Sequence, residues 1–268
     1  MTRKRFGQHF LHDRAVIQRI VQAIAPHAGE RVIEIGPGDG AITWPLLAAL
    51  GHLTVIEFDR DLIPRLRMAA AGRGKLDIIQ ADALRVDFAT LGNAGELRLV
   101  GNLPYNISTP ILFHCIEAID AIRDMHFMLQ KEVVERMAAA PGSKVYGRLS
   151  VMLQLVCRIE PLMHVPPEAF RPPPKVDSAL ARLTPLPSSQ RHPAHSALIA
   201  RVVRAAFGQR RKTLANALLG IAGADQLAAA GIDPRARAEQ LAPGDYVTLA
   251  QTLAATYAQP GAANANRI

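Results

Sequence analysis

RVIEIGPGDG (residues 31–40) runs from a mainly apolar stretch into three glycines, and ITWPLLAAL (42–50) follows with a helical pattern. A buried strand that feeds a glycine loop and then a helix is the opening unit of a parallel α/β sheet. Gly36, Gly38 and Gly40 let the backbone turn tightly and come close to a ligand at the carboxyl edge of the sheet, where open α/β folds bind ligands. Their spacing is G-x-G-x-G, not the G-x-G-x-x-G of dinucleotide sites, and Asp39 puts a carboxylate where a pyrophosphate would lie. That suits a ligand with a cationic or amine end.

Outward from this loop the α/β alternation continues. Arg14 to Ala25 reads as a helix with Val16, Ile17, Ile20, Val21 and Ile24 on one face. Strand-like runs follow at 53–58, 75–80, 97–102, 124–130, 150–159 (SVMLQLVCRI) and 177–183 (DSALARL), the last alternating as a half-buried edge strand does. VPPEAFRPPPK (165–175) is too rich in proline for a helix or a central strand and is expected to be a stiff, extended loop. TPLPSSQRHP (184–193) reads as a linker, and everything beyond it carries helical periodicity up to a frayed tail at 260–268. The expected architecture is a mostly parallel seven-stranded sheet in a large domain, 1–186, and a small all-α domain, 187–268.

At 268 residues, 49% hydrophobic and 20% charged, the chain is long enough for a full core. Its net charge is +8, and from Pro187 onward nine Lys/Arg face only four Asp/Glu. A polyanion, nucleic acid foremost, is the expected partner. The two cysteines, Cys115 and Cys157, lie in no metal or redox spacing, so neither disulfide nor structural zinc is expected. No signal peptide and no apolar run of membrane-spanning length is apparent, which suits a cytoplasmic protein.

The ends of the next strands carry polar groups. Glu57, in IEFD (56–59), is placed to accept both hydroxyls of a ribose, and Asp82, in ADAL (81–84), to accept from an adenine amine. After the run LRLV comes NLPYNIS (102–108), where a hairpin would want Asn-Gly. Asn102, the rigid Leu103 and Pro104 and the aromatic Tyr105 suggest instead a clamp for something flat, with Asn102 as the polar group that orients it. Pro104 stiffens the loop, and Tyr105 offers a face for a flipped base. Asn102 is not needed as a helix cap, since Ser108 or Thr109 can serve. Phe170, held among prolines and so kept from collapsing into the core, is a second candidate stacking surface.

EIGPGDG, IEFD, ADAL and NLPYNIS, in this order, resemble the S-adenosylmethionine-dependent RNA adenine-N(6) dimethyltransferases. The likeness is closer still to the bacterial small-subunit (16S) ribosomal RNA enzymes of the KsgA/RsmA type, through FGQHFL (6–11), YGRLSV (146–151), AFRPPPKVDSAL (169–180) and FGQRRKTLANAL (207–218). The resemblance covers essentially the whole chain. It implies a Rossmann-like class I methyltransferase fold, S-adenosyl-L-methionine as methyl donor, and cofactor contacts from His9, Leu11, Gly36, Gly38, Glu57, Asp82 and Asn102. Many relatives have Asn where this chain has His9. For NLPY the resemblance implies that Asn102 Oδ1 and the backbone carbonyl of Leu103 or Pro104 each accept one hydrogen of an adenine amine, whose lone pair is otherwise delocalised into the ring, and so aim that lone pair at the methyl carbon. It further implies dimethylation of two adjacent adenosines in the 3′-terminal hairpin of small-subunit rRNA, in the 30S subunit or its precursor, coupled to late subunit assembly; a monomer is the default expectation, since no sequence feature demands an oligomer. Two alternatives are a large-subunit adenine methylase of the macrolide-resistance type and a non-catalytic RNA-binding assembly or transcription factor. Arg201, Arg204, Arg210, Arg211 and Lys212, on helical spacing around Phe207, with the basic arm TRKRF (2–6), form the candidate phosphate-tracking surface.

Overall fold

The computed structural model describes residues 9–192 and 197–258, so the arm 2–6 and the tail 260–268 lie outside the described residues. In chain order the elements are β1 (Phe10–Leu11), α1 (Arg14–Ile24), β2 (Val32–Ile35), α2 (Thr43–Leu50), β3 (His52–Glu57), α3 (Ile63–Ala70), β4 (Lys75–Gln80) and β5 (Leu97–Asn102). Then come α4 (Ser108–Glu117), β6 (Ile122–Gln130), α5 (Lys131–Met137), α6 (Arg148–Gln154), β7 (Cys157–Val165), β8 (Phe170–Arg171) and β9 (Ser178–Pro185). The chain closes with α7 (Ala197–Gly208), α8 (Leu214–Ala217), α9 (Ala224–Ala229) and α10 (Pro243–Ala258). They form two compact units, one joining the residues up to 135 with 158–186, the other joining 136–157 with those from 187 on.

In the first unit seven strands form one sheet, ordered β4-β3-β2-β5-β6-β9-β7. The pairs from β4 through β6 are parallel, and β9 returns antiparallel to β6. The chain steps outward from β2 to β3 and β4, then crosses back to lay β5 on the other side of β2. This reversal opens a crevice at the carboxyl ends of β2 and β5, the usual ligand position in such sheets. All four residues of β2 are buried, as a strand covered on both faces requires. Helix α1 is capped by Asp13, whose carboxylate accepts from the amides of Ala15 and Val16, and it buries Val16, Ile20 and Ile24. Its last carbonyls are held from below: Arg98 donates to Ile24 O at 2.6 Å and Ala25 O at 3.3 Å while pairing with Asp124 and Glu30. This fixes α1, and with it the β1 segment that leads into the site.

Three expectations need correction. SVMLQLVCRI is not a strand: 148–154 is helix α6, and the strand begins only at Cys157. Leu149 to Leu153 are all buried, so the apolar run has no solvent face to print a period on the sequence. DSALARL forms a strand, but an interior one between β6 and β7, with β7 as the edge. The proline-rich loop is not wholly irregular, because β8 within it pairs antiparallel with β1, Leu11 opposite Phe170.

The second unit is all α. Its core gathers Ile199, Val202, Val203, Leu214, Leu227, Leu249 and Leu253. Phe207 lies between the buried Tyr146 and Tyr246, ring centroids 6.0 Å from each. The phenols donate to Leu241 O and Ala238 O, which satisfies both buried hydroxyls. A single division after residue 186 leaves out the segment 136–157, whose helix α6 packs on α7 and α10.

Candidate active site

A cavity of 370 Å³ opens at the carboxyl ends of β2, β3, β4 and β5, within the usual size range of small-molecule sites. His9, Leu11, Gly36, Gly38, Glu57, Asp82, Asn102, Leu103, Pro104 and Tyr105 all line it. Strand ends separated by many residues in sequence therefore deliver their groups to one place.

The glycine loop is shaped by its backbone. Gly36, Gly38 and Gly40 have φ of +69°, +55° and +84°, a region that side chains disfavour. At Gly36 a Cβ would meet nothing within 4 Å, so the backbone there faces open space. At Gly40 it would strike the Trp44 ring at 2.4 Å. Asp39 is exposed on this loop beside the cavity.

Glu57 is 4% exposed at the end of β3. Its carboxylate accepts from the Asp59 amide at 2.8 Å and, more weakly, the Gly38 amide at 3.4 Å. Burial holds its pKa above the ordinary carboxylate value, and the backbone donors oppose that rise. Phe58 beside it is 60% exposed, a large apolar face on the cavity wall that the sequence reading did not single out. Asp82 caps a short 3₁₀ turn, accepting from the Leu84 amide at 3.0 Å, and keeps a carboxylate on the cavity.

Behind the loop sits an acid that the sequence reading also passed over. Glu34, in mid-β2, is 1% exposed and accepts from the Thr43 hydroxyl at 2.6 Å. Burial, with a contribution from nearby Glu57, pushes its pKa up to about 8, so it is protonated at neutral pH. The signal was present: an acid inside an otherwise apolar four-residue strand.

At the end of β5, Asn102 Nδ2 donates to His9 O at 3.2 Å, which turns Oδ1 away from that bond. Leu103 donates its amide to Met128 O, and Pro104 O accepts from Ile107. A carbonyl has a second lone pair, so Pro104 O keeps acceptor capacity. Tyr105 is half-buried, with its hydroxyl 2.6 Å from Ser178 Oγ and its ring stacked with His9 at 5.9 Å. Neither Ser108 nor Thr109 caps α4. Ile107 occupies the cap position without a side-chain bond, and the Ser108 hydroxyl donates to Tyr105 O, drawing the loop onto the helix. His9 also contacts Pro172 O through Nδ1 at 2.6 Å, so β1, the 170s loop and the NLPY loop meet at this residue.

Phe170 is the exception. It is 2% exposed, packs in the core cluster with Ile20, Met128 and Leu180, and is absent from the cavity wall. The prolines did not keep it out of the core; the pairing of β8 with β1 turns it inward.

In the second unit Arg201, Arg204, Arg211 and Lys212 are exposed, the first two on α7 and the others in the turn after it. Arg210 differs. Its guanidinium pairs with Glu239 at 2.6 Å and donates to Ser143 O and Lys144 O, so it fastens this unit together. Arg148, from the segment 136–157, has its pKa lowered by burial and by the charge of Arg204. With that segment counted, the second unit holds twelve Lys/Arg against four Asp/Glu, net +8, and the first unit nineteen against nineteen.

Among the described residues no His/Cys/Asp/Glu group is placed to hold a metal ion, and no helix is long and apolar enough to cross a membrane. The chain matches the family model for ribosomal RNA adenine dimethylase over residues 1–255. Among curated relatives, it is 59% identical to the ribosomal RNA small subunit methyltransferase A of Xanthomonas campestris pv. campestris strain B100, over 93% of this chain and 95% of that one. The Xanthomonas oryzae pv. oryzae protein of the same name is 60% identical over the same shares. Among solved structures, a dimethyladenosine transferase from Plasmodium falciparum aligns with TM-score 0.77 and 26% identity, over 90% of this chain and 96% of that one. The 23S rRNA methyltransferase ErmE aligns with TM-score 0.69 and 26% identity, over 91% and 99%.

Proposed function

The chain belongs to the ribosomal RNA adenine dimethylase family, and from that premise we propose that it dimethylates two adjacent adenosines near the 3′ end of small-subunit rRNA, within the 30S subunit or its precursor, acting as a monomer. The observation that carries the reading is the convergence on one cavity of a glycine loop, the acids Glu57 and Asp82, and the Asn102–Tyr105 loop. The choice of the small subunit over the large rests on the names of the 59–60% identical relatives.

The cavity fits S-adenosyl-L-methionine. A buried carboxylate at Glu57, already supported by backbone donors, suits ribose hydroxyls, and the open backbone at Gly36 admits a ligand. Asp82, Gly38, Leu11 of β1, His9 just before that strand, and Asn102 complete the proposed cofactor contacts. When bound, the cofactor supplies an electrophilic methyl group. The protein's own work is orientation. With Nδ2 tied to His9 O, Asn102 presents Oδ1 to one amine hydrogen, and a carbonyl of Leu103 or Pro104 accepts the other. This pair draws the nitrogen toward pyramidal geometry and directs its lone pair. The base, taken out of its stack, is held against Tyr105. No general base is needed, because the methylated nitrogen becomes acidic and releases its proton. The helical unit from 187 on, joined by 136–157, is proposed to bind RNA phosphates through Arg201, Arg204, Arg211 and Lys212.

The test is to incubate the protein with radiolabelled S-adenosylmethionine and, in parallel reactions, small subunits from a strain lacking the modification and unmodified large-subunit rRNA, then map the label by primer extension. Stops at adjacent adenosines near the 3′ end are the expected result. Label confined to large-subunit RNA would replace the substrate, and no label on either would leave a binding factor.

A further inference from the structure

Ser178 was not among the residues read from the sequence as a site, although it lies in the AFRPPPKVDSAL stretch. It opens β9, is 0% exposed, and is paired in register with Gln130 at the carboxyl end of β6. The next residues of the strand, Ala179, Leu180 and Ala181, are apolar and buried. A hydroxyl in such a place is costly unless it is bonded. Its partner is the phenol of Tyr105, 2.6 Å away. A tyrosine ring left free at its hydroxyl can swing about its side-chain torsions. Here the ring is tied at its far end to a sheet strand and covered on one face by His9. Burial also keeps the Tyr105 pKa above its ordinary value, so the phenol acts as a hydrogen-bonding group and not as a base.

We propose that Ser178 is a positioning residue for methyl transfer: by holding the Tyr105 hydroxyl it sets the plane on which the target adenine stacks, and so the angle at which the amine meets Asn102. The inference rests on the adenine-methylation reading above. It also gives the antiparallel strand β9 a part in the site, which the ends of the parallel strands and the β1 segment otherwise build. A platform fixed before the base arrives needs no reorganisation during reaction, so its loss appears in kcat and not in cofactor affinity.

The experiment compares wild type, Ser178→Ala, Ser178→Thr, Tyr105→Phe and the Ser178→Ala/Tyr105→Phe double variant in methyl transfer to undermethylated small subunits, with cofactor Kd measured separately. Ser178→Ala and Tyr105→Phe should each lower kcat about tenfold, with Kd for the cofactor within about twofold of wild type. The double variant should be no slower than either single, since both remove the same bond. Ser178→Thr, which keeps the hydroxyl, should recover most of the rate. RNA carrying 2-aminopurine at the target position should be quenched less by Ser178→Ala, reporting looser stacking. Fully additive losses, or an unchanged kcat in Tyr105→Phe, would overturn the inference; because Tyr105→Phe leaves β9 untouched, a lowered kcat in that variant cannot be put down to misfolding of the strand. A wild type that transfers no methyl would overturn the functional reading and this inference together, whereas wild-type transfer with undisturbed variants would overturn this inference alone.

Discussion

Asn102 and Glu57 line the same cavity but are proposed to act chiefly on different partners, the target amine and the cofactor, so their substitutions should separate. Removing the Asn102 amide takes away an acceptor that matters when the amine is reshaped for attack. Asn102→Ala should lower kcat by about a hundredfold or more while cofactor Kd moves by about threefold at most; comparing single-turnover rates with calorimetric Kd checks this. Glu57→Ala should show the reverse order, with cofactor affinity lost first, by about tenfold or more. Glu57 also predicts a pH effect. Ribose hydroxyls donate best to an ionised carboxylate, and burial has raised this pKa. Cofactor affinity should therefore weaken as pH falls through that raised value, starting at a higher pH than an ordinary glutamate would give. Titrations between about pH 5 and 8 test it, and Glu57→Gln should flatten the dependence.

At the scale of elements, the closeness of β2 and β5 is what makes the crevice. A Cβ on Gly101 would lie 2.5 Å from the carbonyl oxygen of Ile35, so the two strands approach as only glycine allows. Gly101→Ala should cost roughly 2 kcal/mol or more in stability and displace the adjoining Asn102, visible as a lower Tm together with reduced transfer. Within β2, Glu34 carries a burden of its own. Its carboxyl is raised from 4.5 in the free chain to about 8 in the fold. Across that interval the folded chain keeps a proton that the unfolded chain has given up. The stability it contributes is thus full below the lower value and is lost as pH rises toward the upper one. Glu34→Gln keeps an acceptor for Thr43 and removes this loss. It should stabilise the protein near pH 8 by on the order of a few kcal/mol and flatten the pH dependence of unfolding. The helix at 148–154 belongs to the same scale: buried from Leu149 to Leu153, it gave the sequence no amphipathic signature.

Across the whole molecule, the formal net charge resides in the helical unit, while the unit bearing the cavity is balanced. Electrostatic attraction to RNA is therefore expected to be separable from chemistry. Arg211→Ala with Lys212→Ala should weaken RNA binding and reduce the slope of log affinity against log salt by about two, with cofactor Kd unchanged. Arg210→Ala should behave otherwise despite its place in the same RRK run. Because its guanidinium holds Glu239 and two carbonyls, its loss should lower Tm, by an amount equivalent to about 1–3 kcal/mol, with a smaller effect on the salt slope.

The glycine loop, the acids at 57 and 82 and the 102–105 loop were legible in the sequence because each is a local signal: a strand period that stops at a turn, followed by a residue type with its own chemistry. The parallel sheet followed from their succession. Other features depended on what lies opposite a residue in space, and no local pattern records that. Phe170 turns into the core because β8 pairs with β1. Arg210 becomes a fastener because Glu239 and the carbonyls of 143 and 144 surround it. Ser178 meets Tyr105 because β9 inserts beside β6. Residue type and period decide which elements form and what chemistry they carry; long-range pairing decides which side chains are buried, which are bonded and which are left for a ligand.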